Sequence, residues 1–507
     1  MAKHSNSIPF AAVAVEADSE VPLYRQLYEN LRQAILAGQL AAGTRLPSTR
    51  EIASELGLSR NTVMNAFEQL LAEGYVEGHV GSGTFVSQAL PDELLTARAG
   101  LKNHPFHTPR GEKKFSRRGE LMVTSQVRAA CPWLGGIQPF RTGLPALDAF
   151  PFETWQKIVT RHWRRPQRDL LGYGDPAGYR PLRESIASYL GAARAVRCTP
   201  EQVIVVAGTQ QAVDLVARVL LDTGDAVWIE DYGYLAARGA LTAAGARLVP
   251  VPVDEEGIDV AAGARACEKA RLVYVSPSHQ YPLGVTLSLG RRLALLEWAS
   301  RAGAWVVEDD YDSEFRYSGR PLAAMQGLDE ERRVIYLGTF SKVLFPSLRL
   351  GYMVVPEDMV EAFSAARALV GWCSPVVDQA VVADFIEEGH FARHIRRMRA
   401  LYAERQEALV RAAREGLDGL LEIMPAAAGM HLLGWLPDGV DDAAAAEVCA
   451  ARGVQTQPLS AFALRPVSRG GLVLGYAAYN EREIREGVSK MAAALKEVVR
   501  AARRKAS

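Results

Sequence analysis

The sequence has few cysteines, no long apolar run and no net charge, and each absence excludes a class of protein. The five cysteines among 507 residues are scattered without paired spacing, which argues against a disulfide framework or a zinc site and indicates a reducing compartment. No charge-free apolar stretch is long enough for a membrane span, and residues 1–10 are too polar for a signal peptide. We therefore expect a cytoplasmic protein with at least two domains.

The neutral total charge conceals an uneven distribution. Residues 20–88 contain five arginines and seven glutamates, a net charge of −2, whereas residues 89–118 carry seven basic and three acidic residues, a net charge of +4. Any DNA-binding interpretation of the first segment must therefore rest on where particular side chains lie, because bulk charge does not support it.

Periodicity and capping signals predict three helices near the start of the chain. The first helix, over residues 22–37, follows from apolar residues spaced four apart. Ser48 and Glu51 form the pattern of a capping box for a second helix, which ends before Gly57, and Ser59 caps a third helix. A short helix, a tight turn and a second capped helix together predict a helix-turn-helix.

Residues 75–86 predict a β-hairpin with a glycine-rich tip, the wing of a winged helix. With Leu-Pro-Ser-Thr-Arg-Glu-Ile-Ala at 46–53, Ser-Arg-Asn-Thr-Val at 59–63 and Gly-Ser-Gly-Thr-Phe-Val at 81–86, the segment resembles the GntR winged-helix family. The resemblance implies that the third helix enters the major groove. The DNA-facing residues that it implies are Ser48, Arg50, Arg60, Asn61, Thr62 and Asn65, with Gly81, Ser82 and Gly83 at the wing tip. The alternative is a packing module with exposed polar residues.

The following segment, residues 89–135, has the composition of a linker. Apolar periodicity fades, prolines become frequent, and basic residues cluster at 110–118. We expect a tether whose positive charge either adds phosphate attraction or is only solvated.

From residue 136 to 507, β-rich runs alternate with helical segments. The runs are 203–206, 226–229, 272–275, 305–307 and 334–337, and the helical segments between them include 210–221 and 289–302. This alternation predicts an α/β domain with a mainly parallel central sheet and helices on both faces. Ligands bind such sheets at the carboxyl ends of the strands.

Residues 338–352 carry the most informative motif in the chain. Lys342 follows a β-rich run and offers a primary amine that can form a Schiff base with an aldehyde. Thr339, Ser341 and Arg349 can hold a phosphate dianion. An aldehyde and a phosphate on one small molecule indicate pyridoxal 5'-phosphate (PLP).

Other strand ends supply what the same cofactor needs. Residues 208–212 follow a strand and open a helix whose free N–H groups suit phosphate. An acid in the segment 308–312 can pair with the pyridinium nitrogen, and a tyrosine two residues later points the same way along an extended chain. Tyr234 offers an aromatic ring for stacking.

The segments 275–284 and 308–315, with the lysine motif, resemble fold type I aminotransferases over some 365 residues, and in particular the MocR regulators that carry a GntR head. The resemblance implies Lys342 as the Schiff-base lysine and Asp309, with Asp310 as the fallback, as the pyridinium partner. It further implies that Tyr311 contacts the phenolic oxygen, that Tyr234 stacks, and that Thr209, Gln210, Ser341 and Arg349 bind phosphate. His279 and Tyr281 stand where aminotransferases have an Asn-Pro pair.

One departure concerns the arginine that usually clamps a substrate carboxylate. The matching strand is 472–476, and the nearest arginines, Arg465 and Arg469, lie in a loop rich in Pro, Ser and Gly. Loss of the clamp weakens the case for transamination and favours PLP itself as the signal, as in PdxR-type members, over PLP with an amino acid, as in the GabR type.

We therefore expect a PLP-dependent, DNA-binding transcriptional regulator that senses PLP. Its predicted parts are a tail (1–19), the winged helix-turn-helix (20–88), the linker (89–135) and the aminotransferase-like domain (136–507). The family implies a head-to-tail homodimer that reads two half-sites. The alternatives are a regulator that senses PLP with an amino acid, or an active aminotransferase with an accessory DNA-binding head.

Overall fold

The computed structural model describes residues 15–16, 19, 21–79, 81–88, 90, 115–124, 138–165, 167–319 and 322–506. It divides into two compact units, Met1–Lys114 and Phe115–Ser507. Most of the predicted linker lies outside the described residues. Within the described residues, no helix combines the length and apolar character needed to cross a bilayer.

The first unit has three helices followed by a two-stranded antiparallel hairpin. Its elements are α1 (Leu23–Leu36), α2 (Thr49–Glu55), α3 (Arg60–Ala72), β1 (Val76–His79) and β2 (Gly83–Val86). The predicted capping box is confirmed, since the Ser48 hydroxyl accepts from the Glu51 amide at 3.3 Å and a Glu51 carboxylate oxygen accepts from the Ser48 amide at 2.7 Å. The Ser59 hydroxyl caps α3 by accepting from the Thr62 amide at 3.1 Å.

One face of each helix in this unit is buried in a common core. Leu27 and Leu31 of α1 pack with Ile52 of α2 and with Val63 and Phe67 of α3. The spacing of four that predicts α1 therefore marks the residues that hold the three helices together.

The second unit is built around a seven-stranded sheet. Its helices are α4 (Arg117–Thr124), α5 (Phe152–Arg164), α6 (Arg180–Arg194), α7 (Thr209–Leu220), α8 (Leu235–Ala243), α9 (Val260–Ala266), α10 (Leu289–Ala302), α11 (Met325–Leu328), α12 (Val360–Gly371), α13 (Val376–Glu387), α14 (His390–Gly416), α15 (Asp442–Ala451) and α16 (Glu481–Ala506). Its strands are β3 (Val203–Val206), β4 (Ala226–Glu230), β5 (Arg247–Val251), β6 (Val253–Asp254), β7 (Gly257–Ile258), β8 (Leu272–Val275), β9 (Trp305–Asp310), β10 (Val334–Thr339), β11 (Gly351–Val354), β12 (Glu422–Ile423), β13 (His431–Trp435), β14 (Gln457–Pro458) and β15 (Gly471–Gly475).

The strand order of the large sheet is β3-β11-β10-β9-β8-β4-β5, and all strands except β11 run parallel to one another. Both faces are covered: Val203 and Val205 of β3 pack in one apolar cluster, while Ile204 and Val206 pack in the other. Burial on both faces explains why these strands are continuous apolar runs in the sequence. The predicted mainly parallel sheet is confirmed, and a separate four-stranded antiparallel sheet, β12-β13-β15-β14, follows it in the chain.

Shortening a buried side chain of α1 should destabilise the first unit. Leu31 is fully buried, so Leu31→Ala should lower its free energy of unfolding by about 2–5 kcal/mol through lost transfer energy and the cavity created. Leu36, 39% exposed on the same helix, is the matched control, and Leu36→Ala should cost about 0.5 kcal/mol or less. Hydrogen exchange of the α1–α3 amides in the full chain measures both effects; equal loss of protection in the two variants would contradict this core.

Candidate functional site

The carboxyl ends of several strands of the large sheet surround a cavity of about 240 Å³. The predicted residues on its wall are Thr209, Gln210, Tyr234, Tyr281, Asp309, Tyr311, Ser341, Lys342 and Arg349. These side chains come from segments up to 140 residues apart in sequence. The parallel sheet brings them together because its strand ends meet at one edge.

Lys342 lies three residues after the end of β10 and projects its amine into the cavity. Its Nζ donates a hydrogen bond to the Gly143 carbonyl at 2.9 Å. Burial lowers the pKa of the Lys342 ammonium group; Asp312 and Asp309 oppose that shift, and Arg349 reinforces it. A lowered pKa leaves more of the neutral amine, the form that attacks an aldehyde.

Asp309 presents an unsatisfied acceptor to the cavity. Its Oδ2 accepts a hydrogen bond from the Tyr274 hydroxyl, whereas Oδ1 is buried without a hydrogen-bond partner in the described part of the chain. Burial raises the pKa of Asp309 to about 7. A protonated ring nitrogen would supply both the missing donor and the charge that favours the carboxylate, so this site fits the pyridine ring of PLP.

The two neighbouring acids on β9 point to the opposite side of the strand. Asp310 accepts from the Tyr336 hydroxyl at 2.6 Å and pairs with Arg194 at 2.8 Å. Glu308 accepts from the Met325 and Gln326 amides, both at 2.9 Å. Side chains alternate along a strand, so of the three acids only Asp309 lies on the cavity wall, and the fallback Asp310 is engaged elsewhere.

Another part of the cavity wall has the features of an anion site. Gly208 is the N-cap of α7, and a Cβ atom there would lie 3.8 Å from the Arg349 guanidinium, so Arg349 is close to the free N–H groups of that helix. Arg349 forms no ion pair with any described residue. Thr339, Ser341 and Thr209 also line this cavity. A cation, hydroxyls and a helix N-terminus suit a phosphate.

His279 is not on the cavity wall but lies behind Tyr311. Its Nδ1 is 3.0 Å from the Tyr311 hydroxyl and 3.0 Å from an Asp312 carboxylate oxygen. Gly429 closes the other side, where a Cβ atom would come within 1.9 Å of the imidazole. His279 therefore lies one layer behind the cavity wall, against Tyr311 and against His431, whose ring centroid is 4.9 Å away. The sequence motif placed His279 near the cofactor site but did not show that it lies behind the cavity wall.

Several wall residues are absent from the sequence-based set. Thr142 donates to the Gln457 side-chain oxygen at 2.6 Å, and the Tyr281 hydroxyl donates to the same oxygen at 3.1 Å. Gly143 and His431 also line the cavity. None of them belongs to a cofactor motif, and Gln457 comes from the separate four-stranded sheet, so only the folded chain reveals them.

The two arginines considered as carboxylate clamps are engaged outside the cavity. Arg469 donates to the Leu436 carbonyl at 2.8 Å and pairs with Glu422 at 3.1 Å. Arg465 pairs with Asp231 at 3.5 Å. The cations on the described cavity wall are Lys342 and Arg349.

In the first unit, the residues expected to face DNA lie on an exposed surface. Arg60, Asn61 and Asn65 of α3 are exposed, while the Thr62 hydroxyl is 2.8 Å from that of Ser59. Arg50 is exposed on α2 and Ser48 is occupied as its cap. At the hairpin tip, Gly81, Ser82 and Gly83 are exposed, and Gly81 and Gly83 have φ values of 79° and 109°, which favour glycine.

Comparison with known families assigns each unit separately. Residues 23–86 match the bacterial regulatory proteins of the gntR family, and residues 146–491 match aminotransferase class I and II. The second match covers more than half of the chain.

Two curated relatives match the chain over nearly its full length, and a solved enzyme matches about three quarters of it. The chain is 43% identical over 484 residues to the probable rhizopine catabolism regulatory protein MocR of Rhizobium meliloti, covering 95% of each protein. It is 29% identical to the HTH-type pyridoxine biosynthesis transcriptional regulator PdxR of Corynebacterium glutamicum, over 93% of this chain and 96% of that protein. Kynurenine aminotransferase of Pyrococcus horikoshii, solved in complex with PMP, matches with a TM-score of 0.70 at 33% identity, covering 77% of this chain and 98% of that one. The cofactor of this fold is PLP.

Adding a methyl group at Gly143 should disturb the lysine amine. A Cβ atom there would lie 2.7 Å from Lys342 Nζ, so Gly143→Ala should weaken PLP binding by about tenfold or more, equivalent to about 1.4 kcal/mol. Gly439→Ala is the control, because Gly439 has a similar φ (76° against 78°) and a methyl group there would have no neighbouring atom within 4 Å. Absorbance titration with PLP measures both affinities. Equal affinities would show that Gly143 does not crowd the amine.

Proposed function

The chain belongs to the MocR-type regulators, which join a GntR-family domain to an aminotransferase class I and II domain, and from this premise we propose that it is a transcriptional regulator that senses PLP. The observation that carries the proposal is the joint placement of Lys342, Asp309 and Arg349 on one cavity. DNA as the partner would place the protein in the cytoplasm.

The three residues have separate roles in this proposal. Lys342 holds PLP as a Schiff base, Asp309 accepts the hydrogen bond of the ring nitrogen, and Arg349 binds the phosphate with the start of α7. Tyr311 contacts the phenolic oxygen and is oriented by His279, while Tyr234 stacks on the ring. When bound, PLP supplies an aldehyde for the lysine and an electron-withdrawing ring.

PLP itself, without an amino acid, is the proposed signal. An amino acid effector needs a cation for its carboxylate, and both cations on the described wall already have roles in holding PLP. Arg465 and Arg469 are committed to Asp231 and Glu422.

A second candidate function is aminotransferase activity with an accessory DNA-binding head. The 33% identity to a kynurenine aminotransferase over almost all of that enzyme favours it. Repeated conversion of an amino acid by the PLP-loaded protein would establish this function, whereas a single conversion per protein would not.

An exposed apolar patch on the second unit supports a homodimer. Leu369 is 89% exposed, Tyr173 is 94% exposed, and the rings of Tyr173 and Trp372 are 6.3 Å apart. Monomeric proteins seldom expose such groups together, so we infer that a second copy covers them. A symmetric pair would present two winged helices to two half-sites.

Placing a charge on this patch should separate the dimer. Leu369→Glu should shift the sedimentation mass towards the monomer, because an unpaired carboxylate would be desolvated at the interface. Leu289→Glu is the control, since Leu289 is 62% exposed on a different helix, α10. A Leu369→Glu protein that sediments like wild type would locate the interface elsewhere.

The regulator proposal is tested by titrating apo-protein against the DNA upstream of its own gene, with and without PLP, at one salt concentration. PLP should change DNA affinity by about 5–150-fold, the usual range of allosteric coupling, and DNA should change PLP affinity by the same factor. Lys342→Ala should abolish both the effect and the visible absorbance of bound PLP. Identical DNA binding with and without PLP would count against PLP as the signal, and adding amino acids would then test the alternative effector.

A further inference from the structure

Helix α5 of the second unit presents a strongly basic face. The side chains that line a shallow depression on it are Gln156, Lys157, Thr160, Arg161, Arg164 and Arg165. Lys157 and Arg161 are four residues apart, so they follow one line along the helix at a separation of about 6 Å, and Arg165 comes directly after the helix ends at Arg164. The lysine and arginine side chains of this surface only donate hydrogen bonds, and the Gln156 amide and the Thr160 hydroxyl can also donate, which suits an anionic partner.

Most of this charge has no counter-ion. Arg161 pairs with Asp384 and Glu388, each at 2.6 Å, and is therefore neutralised. Lys157, Arg164 and Arg165 are exposed and form no ion pair with any described residue. Basic residues near a helix C-terminus offset the helix dipole, which accounts for Arg164, but Lys157 lies two turns earlier and is not explained in this way.

The DNA-binding unit lacks the charge that such a surface supplies. Residues 20–88, which contain the winged helix, carry a net charge of −2. Electrostatic attraction to phosphates provides nearly all of non-specific DNA affinity, and it requires cations placed along the duplex. Cations outside the winged helix would therefore add to the five arginines that residues 20–88 contain.

We propose that the basic face of α5, through Lys157, Arg164 and Arg165, contacts the phosphate backbone of DNA. The inference rests on the proposed function, because it requires a DNA-binding protein. It adds a second DNA surface in the unit that binds PLP. Its contacts go to phosphate, so it contributes affinity and salt dependence without sequence preference.

The test compares two full-length, PLP-loaded variants that each lose three exposed positive charges from the second unit. Lys157→Gln/Arg164→Gln/Arg165→Gln removes the proposed contacts, and Lys490→Gln/Lys496→Gln/Arg500→Gln removes the same charge from the exposed face of α16. DNA affinity is measured over a series of salt concentrations with a long random-sequence duplex and with the fragment upstream of the gene. The visible absorbance of PLP confirms that each variant remains folded.

The slope of log affinity against log salt should become shallower by about 0.9 for each phosphate that the variant no longer neutralises, hence by up to about 2.7 per protomer, in the α5 variant alone. The preference for the upstream fragment over random DNA should stay as in wild type. An α5 variant with the same slope as the α16 control would overturn the proposal. Absence of DNA binding by the wild-type protein would overturn both this inference and the regulator proposal.

Discussion

The buried carboxyl group of Asp309 is the constraint on which the site depends. Leaving a buried acceptor without a donor costs about 1–3 kcal/mol, and Asp309 Oδ1 is such an acceptor. The fold tolerates it because β9 lies at the centre of the sheet, between β8 and β10, and Tyr274 on β8 fixes the other oxygen. A ligand that donates to Oδ1 removes this penalty, so PLP binding and the stability of the central sheet are linked.

On β9, successive side chains point to opposite sides of the strand, so the residue that faces the cofactor site alternates with residues that hold the structure together. Asp309 faces the cavity, while Glu308 and Asp310 hold neighbouring segments on the other side. Burial raises the pKa of Glu308 to about 7, as it does for Asp309, because desolvation disfavours the charged carboxylate. The hydrogen bonds that Glu308 accepts from the Met325 and Gln326 amides lower its pKa and so offset part of this cost. Of the three consecutive acids at the end of β9, only Asp309 faces the cofactor site, and Glu308 and Asp310 bind neighbouring segments of the protein.

Local signals in the sequence were sufficient for much of this structure and failed where the determinants are distant. Continuous β-rich runs predicted five strands of the large sheet, but β5 was missed because Arg247 and Pro250 interrupt its apolar pattern, and β11 because Gly351 begins it within the lysine motif. Motif residues predicted most of the cavity wall. Gly143 was missed because it meets Lys342 across 199 positions of sequence, and only the folded chain records that proximity.

The charge of the two units also bears on how a ligand could control DNA binding. A winged helix with a net charge of −2 gains little from long-range attraction, so its own contacts supply mainly sequence recognition. If phosphate contacts come from the unit that holds PLP, part of the binding free energy resides in that unit. A change of conformation there then alters affinity directly, without any change within the winged helix. Coupling is reciprocal, so the factor by which PLP changes DNA affinity equals the factor by which DNA changes PLP affinity. DNA bound to the second unit therefore stabilises the PLP-bound conformation if PLP raises DNA affinity, and destabilises it if PLP lowers DNA affinity.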